Sequence, residues 1–108
     1  MKRLALAFLM TLSLAAFAAD EPEFKLVIEN HKFAPDRVEV PAGKKIKLVV
    51  ENKDATPEEF ESHSLKREKV IPGKSSATIM VGPLKPGEYK FFGEFHEATA
   101  KGVLVAKP

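Results

Sequence analysis

Two short segments hold the residues best suited to chemistry. The first runs Glu94-Phe95-His96-Glu97 near the C-terminus, and the second runs Glu58-Glu59-Phe60-Glu61-Ser62-His63 about thirty residues upstream. Imidazole and carboxylate together form a donor set for copper(II), iron or zinc. Both segments fall in acid-rich loop or strand-end positions. With no cysteine in the chain, any metal must be held by nitrogen, oxygen or thioether. The candidate ligands in these segments are His96, His63, Glu61 and Glu59, with Glu94 and Glu97 as further oxygen donors or as acceptors that orient the imidazole. His31, between Asn30 and Lys32, reads as a surface turn residue. Met80 reads as a core residue, and solvent-exposed His and Glu with no ion are the bland alternative for the whole set.

Other chemistries are poorly supported. The serines sit in polar turns, and no Gly-x-Ser-x-Gly elbow precedes a helix. The glycines belong to Pro-Gly turns and form no phosphate cradle. Glu59 and Glu61 would share a face of an extended strand, but a small sandwich seldom supplies the cleft of a glycosidase.

The elements that must position these residues come after an export signal. Lys2 and Arg3 precede an apolar run from Leu4 to Ala15, and Ala16-Phe17-Ala18 has the small-x-small pattern of a cleavage site. Residues 1–18 read as a signal peptide cut after Ala18 or Ala19, and residues 19–108 as one domain with a periplasmic destination. The run is short for a membrane span, although an uncleaved anchor is the alternative. The full chain carries 17 basic and 15 acidic residues. Losing Lys2 and Arg3 brings the balance to neutrality, and no basic block interleaved with aromatics points to nucleic acid.

Beyond the signal the apolar period is two. Phe24, Leu26 and Ile28 alternate with polar neighbours, as do Ile46, Leu48 and Val50. Pro41-Ala42-Gly43, Pro72-Gly73, Gly82-Pro83 and Lys85-Pro86-Gly87 punctuate the chain as turns. Seven or eight short strands at these intervals indicate an all-β sandwich. One or two helical turns are expected within Glu58–Lys69 or Glu97–Lys101.

The order of the Pro-Ala-Gly turn, Lys-Leu-Val-Val-Glu-Asn, Leu-Lys-Pro-Gly-Glu-Tyr-Lys-Phe-Phe-Gly-Glu-Phe-His and Lys-Gly-Val-Leu-Val resembles the cupredoxins from about Phe24 to Lys107. Within that superfamily, Glu59-Phe60-Glu61 and Glu68-Lys69-Val70-Ile71-Pro72-Gly73 are similar to the EfeO-type cupredoxin-like domains of periplasmic iron-uptake systems. The resemblance implies a Greek-key β-sandwich with a metal at one end, between a mid-chain ligand and the last loop. It places the loop histidine at His96, the blue-copper cysteine at Gly93 and the axial methionine near Ala100, so the latter two are lost. The mid-chain ligand falls within Glu59 to His63.

It further implies a copper or iron ion as cofactor, iron-uptake components of the periplasm or inner membrane as partners, and a binding role in iron transport. A copper-dependent ferroxidase and a metal-free interaction module are the alternatives.

Overall fold

The computed structural model describes residues 21–108; the expected signal peptide and its cleavage site lie outside them. Among the described residues, nine strands form two sheets. They are β1 (Glu23–Glu29), β2 (Lys32–Ala34), β3 (Arg37–Pro41), β4 (Ile46–Asn52), β5 (Glu58–Ser62), β6 (Arg67–Ile71), β7 (Ser75–Val81), β8 (Gly87–Gly93) and β9 (Lys101–Lys107). One sheet has the order β2-β1-β4-β7 and the other β3-β9-β8-β5-β6. No helix among the described residues is long and apolar enough to cross a membrane.

The expected all-β sandwich is what the alternation produces. Leu26 and Ile28 of β1, and Ile46, Leu48 and Val50 of β4, are fully buried on one inner face. The other sheet opposes them with Phe60, Ile71, Phe91 and Leu104. Each such side chain contributes about 1.5–3 kcal/mol when buried, which lets a domain without disulfides hold together. Three rings lock the centre. Phe33 stands edge-on to Phe91 at 5.0 Å and to Phe60 at 6.2 Å, while Phe60 and Phe91 lie nearly parallel at 5.2 Å. Such pairs add about 0.5–1.5 kcal/mol beyond burial.

The strand count exceeds the expected seven or eight for local reasons. Phe33 is the centre of a three-residue strand, too short for periodicity to register. The segment Glu58–Lys69 forms a β5–β6 hairpin in place of a helical turn, with Phe60 opposite Lys69 and Ser62 opposite Arg67. The one short helical element described is a 3-10 turn at Glu94–His96, just before the stretch where one was expected.

Candidate metal centre

Strand parity decides what β5 offers the interior. Phe60 must face the core, and side chains alternate between faces. Glu58 and Ser62 therefore share the face of Phe60, and all three are buried. Glu59 and Glu61 leave the opposite face. Their carboxylates gather with Glu68 of β6, oxygen atoms within 4.8 Å of one another. His63 lies beside this group, its Nδ1 4.0 Å from Glu61 Oε2 and its ring against Phe92, but it is largely exposed.

His96 is on the other side. Its Nδ1 lies 2.7 Å from Oε2 of Glu58, whose side chain is 1% exposed against 26% for His96. The side chain that meets His96 is thus one residue upstream of the window Glu59 to His63. Glu58 Oε1 accepts the backbone N–H groups of Glu59 and Phe95, each at 2.9 Å. Against an ionised Glu58 carboxylate, Oε2 accepts from a proton on His96 Nδ1. In that neutral tautomer Nε2 keeps its lone pair. A buried carboxylate behind one ring nitrogen is the arrangement that fixes tautomer and orientation in metal-binding histidines.

The loop is closed around this pair. Ala100 N donates to His96 O at 2.9 Å and Gly93 N to Ala100 O at 2.8 Å. A Cβ on Gly93 would lie 2.6 Å from Glu58 Cδ, 2.7 Å from its Oε2 and 2.7 Å from Ala100 Cβ. The carboxylate of Glu58 fills the space that a side chain at Gly93, the expected cysteine position, would need. A thiolate-ligated copper centre does not fit this pole, and the donors that remain are imidazole and carboxylate.

His31 is a turn residue, as the sequence suggested, and that turn carries its ring to the same pole. Its ring stacks on His96 with centroids 3.5 Å apart and planes at 11°. It reaches that place through a two-residue hairpin turn. Glu29 pairs with Lys32, and Asn30 and His31 adopt φ of 56° and 59°, the left-handed pair a tight hairpin needs. Asp54 accepts both their N–H groups, at 2.8 and 3.0 Å. The His31 N–H, foremost, holds the Asp54 carboxyl below its ordinary value; desolvation opposes it, and the Asn30 N–H assists.

On the outer face the shift runs the other way. Desolvation first, then the hydrogen bond with Glu68 and the charges of Glu68, Glu61 and Glu94, raise the Glu59 carboxyl above its ordinary 4.5. A raised acid binds its proton more tightly in the folded state, so its ionisation costs stability as pH climbs through the folded value. Glu68→Gln is accordingly expected to raise the melting temperature at neutral pH. The gain should shrink as pH falls toward 4.5. Thermal unfolding of both proteins across that range is the check, and a gain independent of pH would contradict the assignment.

Comparisons with known proteins agree with this architecture. The family model described as a cupredoxin-like domain matches residues 2–106. The uncharacterised protein RP394 of Rickettsia prowazekii (strain Madrid E) is 51% identical over 83 residues. That match takes in 77% of this chain and 66% of the relative, so the chain spans just under two thirds of its length. Among solved structures, auracyanin A of Chloroflexus aurantiacus, a blue copper protein, superposes with TM-score 0.70 at 12% identity over 82% of this chain and all of the other. The reduced auracyanin of Roseiflexus castenholzii gives 0.68 at 18% identity, over 82% of this chain and 98% of that one. The Cu(I)-bound metal-binding domain of the Streptococcus pneumoniae D39 exporting ATPase CopA gives 0.68 at 12%, over 80% and 85%.

Proposed function

The chain belongs to the cupredoxin-like domain family, and on that footing we propose that it binds a copper or iron ion at the pole of the sandwich, with His96 Nε2 as the leading donor. The observation that carries this reading is the 2.7 Å contact between His96 Nδ1 and the buried Glu58 carboxylate. That contact leaves one imidazole nitrogen committed to a lone pair and anchors the ring that bears it. A borderline nitrogen donor backed by carboxylate suits copper(II), iron or zinc, and suits holding an ion better than rapid electron transfer. Glu97 follows His96 in sequence and is a candidate oxygen donor, whereas the Glu94 charge acts on Glu59 of the outer face. Glu59, Glu61 and His63, across β5, form a separate carboxylate-rich face and stand outside this centre.

The wider setting rests on the sequence. The export signal directs the mature domain to the periplasm, and the likeness to EfeO-type domains supports service to an iron-uptake system, with its components as partners. Oxidation of ferrous iron at a bound copper ion would convert the binder into an accessory ferroxidase. Oxygen- or acceptor-dependent Fe(II) oxidation by the copper-loaded protein separates the two.

The direct test is calorimetric titration of the mature protein with Cu(II), Fe(III) and Zn(II). Submillimolar binding of at least one ion is expected, lost on His96→Ala with the fold retained. Binding of all three weaker than about millimolar, about 4 kcal/mol, would select a metal-free interaction module.

A further inference from the structure

The pole is assembled from three segments, and the third is held there by a side chain that touches neither His96 nor Glu58 in the contacts described. We propose that Asp54 is a positioning residue that presents His31 as the second imidazole of the centre, an inference resting on the His96 reading above.

The turn bearing His31 is gripped from both sides. Asp54 takes the N–H groups of Asn30 and His31, while Thr99 Oγ1 donates to the His31 carbonyl at 2.6 Å. Asp54 is itself fixed: its own N–H donates to Oδ1 of Asn52 at 3.0 Å. Asn52 is 1% exposed, and its amide donates to the carbonyls of Thr56, Ile71 and Pro72. Thr99 sits in the loop of His96, its N–H donating to the His96 carbonyl at 3.2 Å. One frame therefore fixes the backbones of both histidines.

The left-handed pair at Asn30 and His31 is what the two-residue β1–β2 hairpin requires. The grip of Asp54 on that turn fixes it in the place that brings an imidazole within stacking distance of His96. Imidazole lone pairs lie in the ring plane, so two parallel stacked rings do not aim at one point. For both rings to hold one ion, the His31 side chain must rotate about its fixed backbone so that a ring nitrogen turns toward the ion at His96 Nε2. Simple shielding of Glu58 from water is the rival explanation of the stack, and it requires no second nitrogen on the metal.

The experiment uses the mature chain, with and without Cu(II). In the metal-free protein, nuclear Overhauser contacts between the His31 and His96 rings are expected, lost in Asp54→Ala while the shifts of Phe33, Phe60 and Phe91 stay in place. With Cu(II), the nitrogen hyperfine pattern should count two imidazoles in the wild type and one in both Asp54→Ala and His31→Ala. Affinity in these variants should fall by about tenfold or more, the range typical of residues behind a ligand. Asp54→Asn, which keeps one carbonyl acceptor, should restore part of the ring contact and of the affinity. Persistence of the ring contact and two-nitrogen count in Asp54→Ala would overturn the proposal. A wild-type count of one would overturn it while leaving His96 in place, and failure of the wild type to bind copper would bring down the His96 reading and this one with it.

Discussion

Glu58→Ala is expected to destabilise the domain by about 2–6 kcal/mol, the scale for leaving two backbone donors unpaired. The side chain is 1% exposed and satisfies Glu59 N–H, Phe95 N–H and His96 Nδ1 at once. Truncation strands two backbone donors, each worth about 1–3 kcal/mol when left unpaired in the interior. It also opens space beside Gly93. Glu58→Gln separates stability from chemistry. Its amide oxygen can still receive the two backbone N–H groups at the Oε1 position, so the fold should lose less. Its NH2 then faces Nδ1 and requires that nitrogen to accept, which moves the ring proton to Nε2. Metal affinity should therefore fall by about tenfold or more in a variant that still folds. Chemical denaturation paired with calorimetry distinguishes the two effects, and Glu58→Gln binding metal as tightly as the wild type would refute the orienting role.

Gly93→Ala should cost about 1–3 kcal/mol or more, as overpacking does in a filled core. The conflict is concrete: the new methyl would sit 2.6 Å from Glu58 Cδ and 2.7 Å from Ala100 Cβ. Gly93→Cys meets the same obstacle, so restoring the thiol alone does not create a blue centre. Because one steric partner is Glu58, the two sites should couple. In a Glu58→Ala background the added Cβ at Gly93 enters vacated space, and its cost should drop by about 0.5–3 kcal/mol, as for residues in contact. The residual cost reports the Ala100 contact. Additive costs in a double-mutant cycle would show that the carboxylate does not occupy this space.

The sandwich was legible because its signal is repeated. Leu26 and Ile28, and Ile46, Leu48 and Val50, state the same period on two strands that turn out to be parallel neighbours, with Leu26 opposite Val50. The short β2 and the β5–β6 hairpin were not, since three residues carry no period and β5 turns two polar side chains inward. Glu58 and Ser62 break the apolar-in rule because each has partners there; Ser62 Oγ donates to the Lys90 carbonyl at 2.7 Å. The parity of Phe60 was the available signal, since it fixes Glu58 inside and Glu59 and Glu61 outside. No local pattern could bring His31 to the pole, because its place depends on Asp54 and Thr99, distant in sequence. Its Asn-His pair between two β-patterned runs pointed to a tight turn, but not to what that turn would touch.

The central claim is that a buried carboxylate holds His96 with its Nε2 lone pair available to an ion. Two-bond proton–nitrogen correlation spectra of the imidazoles, before and after addition of Zn(II), test it most directly. The account predicts a His96 ring protonated at Nδ1 in the metal-free protein at neutral pH, with the metal shifting its Nε2 resonance. A ring protonated at Nε2, or a His96 spectrum that Zn(II) leaves unchanged while the ion binds elsewhere, would contradict it.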